Sequence, residues 1–341
     1  MGRTKLQKSV IQMKVLTLSE EEVASLVTIE DVIEVVELAF RENAQGYAQM
    51  PPKIYPNFRG YNGDLRTMPT YLERLNISMV KVVNVHPDNA KKFGIPTVMA
   101  TILLIDPKNG QLLSIVGGAT ITAMRTGASG GIAAKYLAVK RPRTVGFIGA
   151  GTQARTQLSA LLSVFPSLGK IRIWDIRPNA AKSFAKEINL MTSRLHATPV
   201  DTAQVAVEGA NIVVTTTPST KPLVLNEWVA NGTHFNCIGA DAPGKEELDP
   251  AILKRSKIVV DDWKQASHSG EINVPVSMGV LFRENIWAEL GEVVAGTRSG
   301  RSSTEEITVF DSTGLAIQDA TTAELVYQKA IEKGTGSFVH F

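Results

Sequence analysis

The chain contains a single cysteine, Cys237, so an intrachain disulfide is excluded. That thiol sits in the apolar run Phe235-Asn-Cys-Ile238 and reads as a small buried hydrophobe. Long apolar runs are lacking too. The longest, near Val98 to Ile105, is strand-sized, far short of the ~20 residues a membrane-spanning helix needs. Met1 to Lys8 is basic, but no apolar stretch of signal-peptide length follows it, and Leu6 stands where a myristoylation signal needs Ser or Thr. No membrane partner is expected, and the expected location is the cytoplasm. No block of like charge is present and the net charge is only +3, which argues against nucleic acid as a partner. The five histidines are scattered without metal-ligand spacing, so no metal is expected. Internal repeats and low-complexity segments are absent as well.

What is present is a globular composition. The chain has 341 residues, 44% hydrophobic and 20% charged, enough for about two domains with sizeable cores. One stretch is especially informative: Thr144-Val-Gly-Phe-Ile-Gly149-Ala-Gly151-Thr-Gln-Ala154. An apolar strand runs into a glycine-rich turn and then a helix. A second apolar strand, Ile171-Arg-Ile-Trp-Asp175, ends in a carboxylate. This is the dinucleotide-binding fingerprint, with Ala154 in its last glycine slot. Gly149 serves the tight turn, and Gly151 lets the backbone approach a pyrophosphate. The helix opening at Thr152 offers N–H groups and a positive dipole end to phosphate. Asp175 is placed to accept from the ribose hydroxyls, which favours NAD. Arg177 nearby keeps NADP open, since it suits either the adenine or a 2′-phosphate.

The segments before and after this motif differ in pattern. Ser19-Glu-Glu-Glu22 reads as a capping box, and a second helix is expected from near Thr28 to Gly46. Strands are expected at 65–71, 78–85, 97–105 and 112–116, the last two joined by the turn Asp106-Pro-Lys-Asn-Gly110. This reads as an antiparallel sheet. A helix follows over 119–138. From Thr144 strands and helices alternate, with strands expected at 144–148, 171–175, 211–216, 233–238, 257–261 and 307–310. Such alternation implies a parallel, doubly wound sheet. Residues 314–333 read as a closing helix that leaves this unit and packs back on the first. The expected domains are 1–138 with 314–341 packing back, for substrate and dimerisation, and 139–313, a Rossmann domain.

Several basic residues keep unusual company: Lys53 after Met50-Pro-Pro52, Arg66 in Leu65-Arg-Thr-Met-Pro69, and Arg125 in Met124-Arg-Thr126-Gly127. Lys81 lies in the apolar strand Met79-Val-Lys-Val-Val83, where burial of a lysine is costly without purpose. Strand alternation leaves open whether Lys81 faces solvent or the core. A cleft gathering these cations suits a small carboxylate and would depress the lysine pKa towards proton transfer. Three strand-end loops carry small polar residues fit for a nicotinamide site. They are Thr215-Thr216-Thr217-Pro-Ser219, Gly239-Ala240-Asp241 through Lys245, and Phe310-Asp-Ser312-Thr-Gly314. Asp241 reads either as a ligand-facing acid at a strand end or as an Asx turn before Pro243.

Taken together, Met50 to Lys53, Leu65 to Pro69, Val80 to Pro87, Arg125 to Ala128, Gly146 to Ala154, Thr215 to Pro218, Gly239 to Lys245, Gly270 to Asn273 and Phe310 to Asp319 resemble the ornithine cyclodeaminase/mu-crystallin family. The resemblance spans nearly the whole chain. It implies a homodimer joined through the first domains and an NAD-dependent amino-acid oxidoreductase. By the same resemblance Lys81 and Asp241 fall on active-site positions, and Arg125 reaches substrate and cofactor beside Thr126. Thr152, Gln153, Asp175, Ile176, Arg177, Lys245 and Ser312 fall on cofactor-contacting positions. Lys53, Arg66 and Arg125 are expected to hold a substrate carboxylate. Cyclodeaminases carry a glutamate where this chain has Arg66, so a diamino acid would meet a cation there. The expectation is the family's reversible deamination of L-alanine to pyruvate and ammonia. The alternatives are ketimine or imino-acid reduction, or ornithine or lysine cyclodeamination. A further alternative is non-catalytic binding of the mu-crystallin kind.

Overall fold

A computed structural model describes residues 13–341. Its first sheet takes β1 (Lys14–Leu18), β2 (Ala48–Gln49), β3 (Asn57–Phe58), β4 (Gly63–Leu72), β5 (Ile77–Val85), β6 (Val98–Ile105), β7 (Leu112–Gly117) and, from the far end of the chain, β18 (Ser337–His340). The order across it is β18-β1-β7-β6-β5-β4-β2, with β3 paired to β4. The long meander β4 to β7 is antiparallel, as its alternating sequence and the Asp106–Gly110 turn require. β1 departs from that pattern and runs parallel to β7. β1 is not among the strands expected from the sequence; its partners β7 and β18 are distant along the chain.

The second sheet is all parallel: β8 (Thr144–Ile148), β9 (Lys170–Trp174), β10 (His196–Pro199), β11 (Ile212–Thr215), β13 (His234–Cys237), β15 (Ser256–Val260), β16 (Ile286–Glu289) and β17 (Ile307–Asp311). Its order is β10-β9-β8-β11-β13-β17-β15-β16. β12 (Thr220–Val224) and β14 (Glu246–Leu248) form a separate parallel pair. The strand order reverses between β8 and β11. In a doubly wound sheet that crevice is where ligands bind. Its six expected strands are all present. The two edge strands, β10 and β16, are short, and neither stands out as an apolar run.

The two sheets share more than a linker. The helix Gly118–Leu137 follows β7 and lies against the helix Thr152–Val164. Gly127, Gly130 and Gly131 of the first face Thr156, Gln157 and Ala160 of the second so closely that a Cβ has no room there. The closing helix Ala316–Lys333 leaves β17 and packs on the helix Ile29–Ala44 and on β4 and β5. Its buried Ile317, Ala320, Ala323 and Val326 join the core of the first sheet. Separate apolar cores cover the faces of the second sheet. Both early helices start as the sequence indicates: Ser19 and Thr28 each close a capping box. Among the described residues, no helix is long and apolar enough to cross a membrane, and no group of three or more His, Cys, Asp or Glu could hold a metal ion.

Candidate active site

Lys81 lies in β5, at the middle of the first sheet. Alternation puts it on the same face as Ile77, Met79 and Val83, the core face, and it is 1% exposed. The solvent-facing alternative is therefore wrong for this strand; its half-buried face carries Val80 and Val82 instead. The charge is tolerated because a partner waits at depth. Lys81 Nζ donates to Asp319 Oδ2 at 2.6 Å and to Thr122 Oγ1 at 3.4 Å. Asp319, on the closing helix, also accepts from Arg125 Nε at 3.1 Å, while Arg125 Nη1 donates to Gln318 Oε1 at 3.0 Å. Burial pulls the Lys81 ammonium down to about 7, helped by the Arg125 and Lys53 cations and opposed by Asp319. Burial would raise Asp319, but Arg125 and Lys81 outweigh it and hold that carboxylate below its usual range.

Lys53 arrives from the segment before β4. Its Nζ donates to the Thr313 carbonyl at 2.8 Å, and burial lowers it to about 8. The turn it touches is held from beneath by Asp261. That carboxylate takes the Thr313 and Gly314 amides at 2.6 and 2.7 Å and the Thr313 hydroxyl at 3.0 Å. Burial raises Asp261 to about 6 despite these bonds.

Arg66, in β4, grips Asp64 through Nε at 2.8 Å and Nη2 at 3.0 Å. Its Nη1 donates to Asp241 Oδ2 at 3.3 Å. Asp241, in the loop after β13, accepts from Lys245 Nζ at 2.5 Å through its other oxygen. Both oxygens thus serve cations from opposite lobes, and neither closes an Asx turn. Burial works against the Asp241 charge, but Lys245 and Arg66 prevail and keep its pKa below the usual value.

These side chains meet. Lys53, Arg66, Lys81, Arg125, Thr126, Gln153, Asp241 and Ser312 all line one cavity of about 210 Å³. Met68, Val83, Val85, Val98 and Ile238 supply its apolar wall. The lining thus combines four cations with the Asp241 carboxylate, which touches Arg66 directly, and with Ile238 and Ser312 to Gly314 from the carboxyl ends of the parallel strands. Lys53 and Arg66 also border a wider cleft of about 870 Å³ reaching Ala242 and Pro243.

The dinucleotide residues lie along the crevice at the sheet's reversal. Gly149 has φ +103°, a conformation that suits glycine, and it packs on Thr216 and Thr217 at the end of β11. At Gly151 an added Cβ would meet nothing within 4 Å, so the space in front of the helix at Thr152 and Gln153 is open. That opening, a helix N-terminus without an acidic first turn, fits a pyrophosphate. Asp175 lies just past β9 and is nearly buried. It accepts from the Ala150 amide at 2.9 Å and the Arg177 amide at 2.8 Å. With Ile176, which is 83% exposed, it lines a pocket of about 260 Å³ sized for the adenosine end. Gly239 and Ala240 lie between β13 and Asp241. The residues present therefore fit a nicotinamide dinucleotide.

Sequence reasoning missed Asp319, Gln318, Asp261 and Asp64. Asp319 carried a readable signal: an acid amid Ala316, Ile317 and Ala320 raises the same burial question as Lys81.

Comparison with known proteins agrees with this layout. The sequence model of the ornithine cyclodeaminase/mu-crystallin family matches residues 13–334. An alanine dehydrogenase of Archaeoglobus fulgidus is 50% identical over 329 residues, covering 96% of this chain and 99% of that one. Among solved structures, an archaeal alanine dehydrogenase dimer with bound NAD is 50% identical with a TM-score of 0.92, covering 96% of this chain and 100% of that one. A Thermococcus litoralis Δ1-pyrroline-2-carboxylate reductase in complex with NADH and L-proline is 43% identical with a TM-score of 0.92, covering 95% of this chain and 100% of that one.

Proposed function

The chain belongs to the ornithine cyclodeaminase/mu-crystallin family, and on that premise we propose that it is an NAD-dependent alanine dehydrogenase. It converts L-alanine, NAD⁺ and water reversibly to pyruvate, ammonium, NADH and a proton. The observation that carries this reading is the shared cavity. A buried lysine with a pKa of about 7 lines the same cavity as a carboxylate kept ionised by two cations, at the carboxyl edge of a dinucleotide-binding sheet. The likeness in sequence and structure to alanine dehydrogenases supports the choice of substrate and cofactor.

NAD, when bound, accepts the hydride leaving the substrate Cα. Thr152 and Gln153 would hold its pyrophosphate end, Asp175 its adenosine ribose, and Thr216, Thr217 and Ser312 the walls nearer the nicotinamide. Lys53, Arg66 and Arg125 hold the substrate carboxylate. Arg125 spends Nε on Asp319 and Nη1 on Gln318, and its Nη2 has no hydrogen-bond partner among the described residues. Lys81 accepts and returns a proton at the substrate nitrogen or the oxygen that replaces it. Asp241 takes the proton of the attacking water. The chain forms a homodimer through its first-lobe sheets, a reading supported by the 50% identical solved structure being a dimer.

Steady-state turnover tests the assignment, with alanine and NAD⁺ in one direction and pyruvate, ammonium and NADH in the other. Lys81→Ala and Asp241→Ala should each lower kcat at least a hundredfold; full activity in both ends the reading. A second reading, reduction of a cyclic imino acid, is favoured by the apolar wall of Met68, Val83, Val85 and Val98 and by the 43% identical reductase. Comparing kcat/KM for pyruvate plus ammonium with that for Δ1-pyrroline-2-carboxylate separates the two.

A further inference from the structure

Three buried carboxyls of the second lobe take no part in the chemistry above: Glu247, Glu271 and Asp311, each 0% exposed. They lie directly behind the three strand-end loops that face the cofactor crevice. Glu247, in β14, spends both oxygens on two of those loops. Oε1 accepts from the Thr217 amide at 2.6 Å and the Thr217 hydroxyl at 2.7 Å. Oε2 accepts from the Gly239 amide at 3.0 Å. Gly239 is two residues before Asp241, with Ala240 fully buried between them.

The other two acids lock Glu247 and the third loop in turn. Glu271 Oε1 accepts from the Glu247 and Leu248 amides at 2.8 and 2.7 Å. Asp311, at the end of β17 and next to Ser312, accepts from the Glu271 and Ile272 amides at 2.9 and 3.1 Å. The run Asp311 to Glu271 to Glu247 thus couples the loops after β17, β11 and β13 through backbone amides. Loops normally carry the mobile part of a site. Here each is tied to a buried acid whose desolvation is offset only while the amides stay in place.

We propose that Glu247 is a positioning residue for Asp241: by clamping Thr217 and Gly239 to one buried carboxyl it fixes where the Asp241 carboxylate stands against Lys81 and the substrate. The inference rests on the assignment of Asp241 to the chemistry. Glu247→Gln is the informative change. A glutamine keeps the shape and one accepting oxygen, but its amide nitrogen cannot accept from Gly239 N–H. One of the two loops must come loose.

The experiment has two arms. Hydrogen exchange on the protein without substrate needs no turnover. The amides of Thr217 and Gly239 should be protected in the wild type and exchange at least tenfold faster in Glu247→Gln, and unchanged protection overturns the clamp. In the kinetic arm Glu247→Gln should lower kcat tenfold or more while the dissociation constant for NAD⁺, held mainly by the Gly149–Gln153 turn and Asp175, stays within threefold. Added to Asp241→Asn, the same change should cost less than twofold more, because the residue it positions is already disabled. Independent, multiplying losses, or loss of NAD⁺ affinity in step with kcat, would show a general structural role and overturn the proposal. Should Glu247→Gln not yield folded protein, Thr217→Val removes the 2.7 Å hydroxyl bond to Glu247 together with the 3.3 Å bond the hydroxyl accepts from the Ser219 amide. It runs through the same cycle beside Ser219→Pro, which of these two bonds removes only the second; a threefold loss is expected for Thr217→Val alone. A wild type with no turnover on alanine or imino acids defeats the proposed function, whereas the exchange arm still decides the clamp.

Discussion

Lys81 shows how a single buried charge is kept usable. Its ammonium has lost water, and Asp319 returns only part of what was lost, so the folded pKa falls to about 7 from the ordinary lysine value of 10.5. The amine is charged below that value and neutral above it. In deamination it must accept a proton, so kcat/KM for alanine should climb as pH rises through about 7 and fall again above about 8, where Lys53 loses the charge that holds the carboxylate; in reductive amination Lys81 donates, and the rate should fall from about 7 upward. The Lys81 limb should vanish in Lys81→Ala and persist in Lys53→Gln, as initial rates across pH will show. At the other end of the crevice, Asp175→Ala should raise the KM for NAD⁺ about tenfold, roughly 1.4 kcal/mol, and improve the NADP⁺ to NAD⁺ ratio; unaltered constants would place the ribose elsewhere. Much of this was legible in the residues themselves. A lysine among Met79, Val80, Val82 and Val83 and an acid after a second strand are local signals. Which face of β5 is buried was not legible, since both faces are apolar and only the packing of the closing helix decides it.

Among the elements, the turn after β17 is the most tightly specified. Asp261, at the end of β15, takes two amides and a hydroxyl from it, and Lys53 takes its carbonyl. Asp261→Asn keeps one acceptor and turns an amide nitrogen towards N–H groups. It should lower stability by about 1–3 kcal/mol and weaken substrate binding through Lys53. Thermal melts and the KM for alanine measure the two effects, and a variant matching wild type in both would remove the turn from the site. The parallel strands β8, β11, β13 and β17 could be read off as apolar runs at regular intervals. β12, β14 and β18 could not, because each is short, polar or proline-bearing and owes its pairing to a distant partner. Glu247 sits on one of these inconspicuous strands, which is why no local pattern marked it.

At the scale of the whole molecule the site is an interface between lobes, with Lys81 and Arg66 from one sheet and Asp241 from loops of the other. Arg66 bridges to Asp241 directly. Any separation of the lobes would have to break that contact. Sedimentation should give about twice the chain mass of 36.9 kDa; a species at single mass at micromolar concentration would contradict the pairing proposed for the first lobes.

Asp319 lies 238 residues beyond Lys81. During synthesis on the ribosome, the strand bearing the lysine emerges long before the acid that neutralises it, and contacts of such separation form slowly. The nascent first lobe must therefore wait, with a charged amine at its centre, until nearly the entire polypeptide has been released. The pocket around Lys81 is consequently completed late in the life of each new molecule, and a chain that stops before the closing helix leaves this lysine without its acid.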